Sequence, residues 1–293
     1  MADIDPRKMA LQIAGLRANE THLPENERVF EDPYAEYFFP DEIRKMFLDP
    51  KRVKAELAKY EQMMPGTNGA IVARIKFIDE CVTNCMAAGT KQLVIIGAGY
   101  DTRPYRITGV KENLKVFEVD HPTTQTVKVD TIKTIFGREP HHVAYVPVIF
   151  GRDRLDQKLF ESGYHPALKT LFIIEGLLMY IPPPAVDALL TFIADASGPG
   201  SSLVADYFDT TVVEGTSPLK EAQVLRQFVE NEGSRLQFGI QAGKEEAFFK
   251  QRGYGQVACV SSASCKEKFF TNESRKRAVS PMFNFVHAGV KSK

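Results

Sequence analysis

Between residues 92 and 208 the chain alternates short apolar runs with amphipathic stretches, and this rhythm constrains the fold more than any other feature. Gln92–Ile96, Lys115–Asp120, Val143–Ile149, Thr170–Ile174 and Ser202–Tyr207 read as strands. Runs such as Leu93-Val94-Ile95-Ile96 carry no polar alternation, as expected for strands covered on both faces. Strands separated by helices build parallel β-α-β units, so an α/β, doubly wound sheet is predicted. Pro147 has no N–H for a ladder and weakens the third strand or places it near an edge. A lead-in helix from about Ala70 to Ala88 carries Ile71, Ile75, Ile78, Val82 and Cys85 at helical spacing, and Gly89 stops it. Another follows Pro182-Pro183-Pro184 with Val186, Leu189, Leu190 and Ile193 inward.

The flanks differ from this core. Residues 1–90 read as a helical cap plus the lead-in helix, and 91–293 as the α/β domain. In the cap, Asp32-Pro33-Tyr34-Ala35 reads as an Asp N-cap with Pro at the first helical position. Residues 209–243 are polar, with a helix near Leu219–Glu230, and read as a lid-like insertion. Glu245–Arg252 is a further helix, and Gln256–Ser262 and Phe283–Val290 are closing strands.

Charge and cysteines narrow the function classes. Thirty-seven basic residues balance thirty-seven acidic ones, which argues against nucleic acid or an anionic membrane as the main partner. The densest basic run, Arg275-Lys276-Arg277, reads as a solvated loop or helix end. The most apolar run, Leu171–Ile181, is interrupted by Glu175 and falls short of the ~20 residues a bilayer needs. No signal peptide is expected from Met1–Pro6, and a cytoplasmic location is. Cys81, Cys85, Cys259 and Cys265 form no C-x-x-C pair and no zinc spacing, so reduced thiols and no metal are expected. Cys81 and Cys85, one turn apart, read as core.

The sharpest local motif is Ile95-Ile96-Gly97-Ala98-Gly99-Tyr100-Asp101. Gly97 and Gly99 at a strand's end let the backbone approach a ligand. Asp120 follows Gly99 by 21 residues and ends the next strand, where a carboxylate accepts from both ribose hydroxyls. Two cofactors fit. A dinucleotide needs a pyrophosphate seat, usually G-x-G-x-x-G. Here the third glycine position is Thr102, and Asp101 sets a carboxylate where phosphates would lie. That charge favours S-adenosylmethionine, a phosphate-free sulfonium cation.

Gly97-Ala98-Gly99-Tyr100-Asp101-Thr102-Arg103-Pro104-Tyr105-Arg106 resembles the G-A-G-x-D-T-R-x-x-R block of the leucine carboxyl methyltransferase family. Asp32-Pro33-Tyr34-Ala35, Arg74 to Asp79 (R-x-x-F-I-D), Glu118-Val119-Asp120-His121-Pro122 and Glu175-Gly176-Leu177-Leu178-Met179-Tyr180 match in the family's order. The matches span about residues 15 to 210. The resemblance implies a class I methyltransferase fold: a mostly parallel seven-stranded sheet with an antiparallel C-terminal strand. It also implies transfer of a methyl group from S-adenosylmethionine to a carboxylate or hydroxyl of a small molecule or peptide C-terminus.

The resemblance distributes roles. Arg74 becomes the clamp on the cofactor's carboxylate, with Arg17 of the cap assisting. Glu175 lies near the cofactor's amino-acid end, where Arg74 or a cationic ligand pairs it. Asp101 holds the cofactor ammonium through water, or caps the next helix. Arg103 and Arg106 tie the glycine turn to the sheet. Tyr180 lines the acceptor side or belongs to the core, and His121 is the nearest candidate base for a hydroxyl acceptor. The cap and the 209–243 insertion form the acceptor pocket. In one place the chain departs from the family, which commonly has V-x-V-D-[LF] after the third strand. Ile149 stands where that Asp is expected, leaving backbone groups at Phe150 to meet adenine. Ile149 also favours one alternative, a non-catalytic binding protein that keeps the fold. The other alternative is an NAD(P)-binding oxidoreductase.

Overall fold

The computed structural model describes residues 6–291. Met1–Pro6, where no signal peptide was expected, lies almost wholly outside them. Seven strands form one sheet: β1 (Gln92–Ile96), β2 (Lys115–Asp120), β3 (Val143–Pro147), β4 (Thr170–Ile174), β5 (Ser202–Phe208), β6 (Tyr254–Ser261) and β7 (Phe283–Val290). Their order is β3-β2-β1-β4-β5-β7-β6. Neighbours from β3 through β5 run parallel, and β7 is antiparallel to both β5 and β6. The parallel core and antiparallel closing strand are as predicted, and β3 is an edge strand, one of the two outcomes Pro147 allowed. β3 is shorter than its apolar run. Val148 donates to the Asp120 carbonyl, and Ile149 N–H turns instead to the Asp153 carboxylate, at 2.8 Å.

Thirteen helices accompany the sheet among the described residues. The cap holds α1 (Pro6–Thr21), α2 (Asp41–Phe47) and α3 (Pro50–Met63), and α4 (Thr67–Ala87) leads into β1. After β1 come the single turns α5 (Arg103–Arg106) and α6 (Val110–Asn113), followed by α7 (Pro122–Phe136), α8 (Leu155–Glu161) and α9 (Pro183–Asp195) in successive crossovers. The 209–243 segment contains α10 (Thr210–Glu214) and α11 (Lys220–Asn231), and α12 (Glu245–Lys250) and α13 (Ser262–Phe269) flank β6. No helix among the described residues is long and apolar enough to cross a membrane.

Residue parity along the strands divides the core in two. Leu93, Ile95, Leu171, Ile173 and Val204 meet Ile71, Ile75, Ile78, Val82 and Cys85 of α4 on one face. Val94, Ile96, Phe172, Ile174 and Leu203 meet Val186, Leu189, Leu190 and Ile193 of α9 on the other. Both faces of β1 and β4 are therefore sealed, which explains their unbroken apolar runs. Each such side chain contributes about 1.5–3 kcal/mol on burial.

Near its start α4 lies close against the 278–280 segment. A Cβ on Gly69 would land on the Ala278 carbonyl oxygen. Gly69→Ala should therefore destabilise the protein by about 1–3 kcal/mol despite alanine's better helix propensity. A chemical-denaturation midpoint unchanged or raised would contradict that packing.

Two sequence readings need correction. Asp32 caps no α-helix: Ala35–Phe38 is a single 3-10 turn with Tyr34 at its N-cap. Asp32 is buried, accepts Tyr34 N–H at 3.1 Å and turns its second oxygen to Thr102 Oγ1 at 2.6 Å. Nor is the basic run wholly solvated. Arg277 donates to Glu20 Oε1 at 2.8 Å, joining the C-terminal region to α1.

Candidate active site

The site forms where β1, β2, β4 and β5 end. Gly97 and Gly99 have φ of 71° and 47°, a left-handed conformation that glycine adopts without a Cβ penalty. Their turn crosses toward β2, with Gly97 N–H and Ala98 N–H both on the Val119 carbonyl at 2.9 and 3.0 Å. Asp120, half-buried at the tip of β2, accepts from Gly99 N–H and from His121 N–H. Burial outweighs these donors and raises its carboxyl above the usual range. The glycine turn and the acidic end of β2 are thus in direct contact.

α4 and β4 supply the next layer. Arg74, buried, donates through Nε to Glu175 Oε1 at 2.9 Å and through Nη1 to Asp206 Oδ2 at 2.7 Å. Its Nη2 donates to no described residue. Gly176 lies beside that guanidinium with φ 63°, a conformation glycine adopts without strain, and a Cβ there would make only ordinary contact with Nη1 at 3.6 Å. Asp206 also accepts Gly176 N–H at 2.6 Å, yet burial still pushes its carboxyl up. Glu175 is opposed by burial too, but Arg103 and Arg74 hold it below the ordinary carboxylate range.

Arg103 is the centre of the network. The residue is 1% exposed, and its guanidinium reaches Asp79 at 2.7 Å, Asp101 at 2.6 Å and Glu175 at 2.6 Å. Arg106 pairs with Asp79 through both Nη atoms, at 2.6 and 2.7 Å. The two arginines therefore tie the glycine turn mainly to α4 through Asp79, rather than to the sheet alone. Asp101 accepts Arg103 N–H at 2.8 Å, but it stands one residue before the α5 N-cap, which is Thr102, so it is not the helix cap itself. Burial works against the Asp101 charge, yet Arg103, Lys128 and Arg17 bring its carboxyl down to about 2.

The remaining candidates fall at the margins. Arg17 is buried and donates to the Tyr100 carbonyl at 2.5 Å, with Asp32 at 3.3 Å, so it ties the cap to the glycine turn. Phe38 stacks on Tyr100 at 4.4 Å, and a Cβ on Gly99 would touch Ala10 of α1 at 3.4 Å. His121 caps α7, with Nδ1 2.8 Å from Thr123 Oγ1. Tyr180 is half-buried, its phenol pushed up to about 12 by burial, and Tyr60 of α3 is pushed up likewise. Phe150 is exposed at the turn after β3.

Sequence reasoning assigned no role here to Asp206 or Asp79. A signal existed for Asp206, a lone acid inside the otherwise apolar strand Ser202–Phe208. For Asp79 it was the R-x-x-F-I-D block itself, whose final residue carries both arginines.

Together Arg74, Arg103 and Arg106 face Asp79, Asp101, Glu175 and Asp206, three guanidiniums against four carboxylates, with Asp120 beside them. A cradle with this excess of anions suits a phosphate-free cation and repels a pyrophosphate. Thr102, at the third glycine position, is buried and donates to Asp32.

The family model for leucine carboxyl methyltransferase matches residues 10–194. The chain belongs to that family. It is an S-adenosylmethionine-dependent methyltransferase, as the resemblance implied, and the oxidoreductase alternative gains no support. Similar relatives agree. YktD of Bacillus subtilis, classed by name with S-adenosyl-L-methionine-dependent methyltransferases, is 29% identical over 86% of this chain and 81% of its own. A Mycobacteroides abscessus protein named for the same class is 31% identical over 75% and 72%. Among solved structures, a Streptomyces avermitilis DUF574 protein superposes with TM-score 0.59 at 13% identity, covering 94% of this chain and 97% of its own. A Thermobifida fusca protein described as a methyltransferase gives 0.57 at 17%, covering 83% and 89%. At such identities the two structures speak to the fold alone.

Proposed function

We propose that this methyltransferase transfers its methyl group to an oxygen, and that the acceptor is an ionised carboxylate of a small molecule or a peptide C-terminus. One observation carries the choice: with Asp120 given to the ribose, Glu175, Asp206 and His121 are each already engaged. Glu175 is held by two arginines, Asp206 by Arg74 and Gly176 N–H, and His121 by Thr123. A hydroxyl acceptor needs a free base. A carboxylate is ionised near pH 7 and needs none.

S-adenosylmethionine supplies an electrophilic methyl on sulfur. In this reading the chain positions the two reactants and excludes water, and alignment alone contributes roughly 7–11 kcal/mol to barrier lowering. Asp120 holds the ribose, because each of its oxygens keeps a lone pair beyond the backbone N–H it accepts. Gly97 and Gly99 give the ligand close approach. Arg74 Nη2, left over by Glu175 and Asp206, takes the cofactor's carboxylate, and the anionic cradle including Asp101 and Glu175 favours its ammonium. Phe150 faces the base. Tyr180 and Tyr60 border the acceptor side, under the cap and the 209–243 segment. Arg17 acts indirectly, by holding the cap on the glycine turn.

Two measurements test this. Calorimetry should find S-adenosylhomocysteine bound, and Asp120→Ala should weaken it by about 1 kcal/mol or more, about fivefold. Equal affinity in the variant would remove Asp120 from the ribose. Methyl-tritiated cofactor incubated with pooled cell extract should yield a base-labile product that releases methanol. Label that survives alkali would mark an ether and sink the carboxylate acceptor.

A further inference from the structure

One buried cation has no part in the roles above. Lys128 of α7 is 1% exposed, and its Nζ lies 2.8 Å from Glu118 Oε2. The ammonium carries three protons, yet Glu118 is its one ion-pair partner among the described residues. Replacing a buried ion pair by apolar side chains of similar volume is often neutral for stability. Packing alone therefore gives this pair no reason to be charged.

The fold sets the pair against the cofactor cradle. Glu118 and Asp120 flank Val119 in β2, so their side chains leave the same face of the strand. α7 starts from His121 at the end of β2 and folds back over it. Gln125 Nε2 donates to the Glu118 carbonyl at 2.9 Å, and Lys128, three residues on, meets the Glu118 carboxylate. The ammonium also acts on two acids of the cradle. Burial raises Asp120, and the Gly99 and His121 N–H groups, then Lys128 and the His121 ring, oppose the rise. Burial likewise works against Asp101, where Arg103, Lys128 and Arg17 oppose it. At Glu118 burial prevails over Lys128 and Tyr105, and the carboxyl is raised to about 7; Tyr145 stands behind Tyr105. Asp101 keeps Arg103 at 2.6 Å, whereas Asp120 has no ion-pair partner among the described residues. Loss of Lys128 therefore falls hardest on Asp120.

We propose that Lys128 is a positioning residue for the cofactor: from α7 it keeps the Asp120 carboxyl ionised, and so able to accept from the ribose, as the solution turns acidic. The proposal rests on the reading in which Asp120 holds the ribose. Gly99 N–H and His121 N–H already take one lone pair from each Asp120 oxygen, so a proton on either oxygen leaves too few acceptors for two hydroxyls. Glu118 makes the device act where it is needed. Above about pH 7 its charge offsets that of Lys128; below, it takes up a proton and leaves the ammonium unopposed beside Asp120.

The test is calorimetry with S-adenosylhomocysteine at pH 8 and pH 5.5, each dissociation constant being divided by that of the wild type so that titration of the ligand cancels. Lys128→Met should bind nearly as well as wild type at pH 8 and about tenfold more weakly at pH 5.5, the effect of one pKa unit at Asp120. The double variant Glu118→Leu with Lys128→Met, which buries no charge, should show the same acid-side loss, and it serves if the single variant fails to fold. A loss equal at both pH values, or none, makes the pair structural and overturns the proposal. Asp120→Ala separates the two readings. It should weaken binding and, combined with the double variant, abolish the extra loss at pH 5.5; an extra loss that persists without Asp120 acts elsewhere and overturns the proposal. If Asp120→Ala weakens binding while the Lys128 variants follow the wild-type profile, the ribose site stands and only the role of Lys128 falls. If Asp120→Ala binds as the wild type does, the ribose reading falls and the proposal with it.

Discussion

Arg103→Met is expected to destabilise the protein by about 3–5 kcal/mol, the cost of removing one partner from a buried ionic cluster. For a chain of this size that corresponds to a fall of roughly 10 °C in melting midpoint. Methionine nearly fills the volume, so the loss is electrostatic. Asp79 keeps Arg106 and Glu175 keeps Arg74, but Asp101 loses its only described ion-pair partner. Arg103→Lys should recover little, because one ammonium cannot span carboxylates that the guanidinium reaches through separate nitrogens. Two conditions distinguish this from lost packing. Salt should leave the deficit nearly unchanged, since buried charges are weakly screened. The pH dependence has a definite sign. In the wild type Asp101 lies at about 2, below its ordinary value of 3.8. It therefore contributes stability above pH 3.8 that is lost as pH falls toward 2. Without Arg103 that contribution disappears, so the deficit measured by urea denaturation should be full at pH 7 and shrink below pH 4. A loss equal at both pH values would mean Arg103 acts through shape.

The same residue marks the limit of what the sequence discloses. The sheet was legible because burial on two faces writes itself into composition: Leu93 to Ile96 and Leu171 to Ile174 cannot be read as half-exposed strands. Asp120 was legible because a single strand end fixes its place. Arg103 was visible within a motif, but its partners come from α4, the glycine turn and the end of β4, 24, 2 and 72 residues away. No periodicity links those positions, and only the sheet order brings them together. The two misread segments have the same origin. Asp32-Pro33 carries a local capping signal, but a tertiary partner, Thr102, competes for the carboxylate and wins. Arg277 reads as solvated from its neighbours, whereas Glu20, 257 residues away, sets its environment. The cofactor cradle is thus half local motif, half long-range charge pairing, and only the first half is written in consecutive residues.

A buried ion pair only ten residues apart in sequence gives the second large effect. Lys128 of α7 and Glu118 of β2 are each almost wholly buried, with Nζ 2.8 Å from Oε2. Glu118 also accepts from Tyr105 OH at 3.2 Å, and Tyr105 OH lies 3.0 Å from Tyr145 OH. Burial raises Glu118 from 4.5 to about 7, and Lys128 restrains the rise without cancelling it. Between those values the folded chain keeps a proton that the unfolded chain has lost. The contribution of Glu118 to stability is therefore greatest below pH 4.5 and declines until about pH 7. Removing the cation extends the decline upward, because a lone buried carboxyl holds its proton to still higher pH. Lys128→Met should accordingly cost about 3 kcal/mol at pH 8.5 and much less at pH 6, where Glu118 is largely neutral in both proteins. The double variant Glu118→Leu with Lys128→Met, which buries no charge, should return to within about 1 kcal/mol of wild type. Urea midpoints at the two pH values decide it. A single-variant deficit that does not grow with pH would mean that the ion pair holds no charge, and that Lys128 serves this fold only through its aliphatic stem.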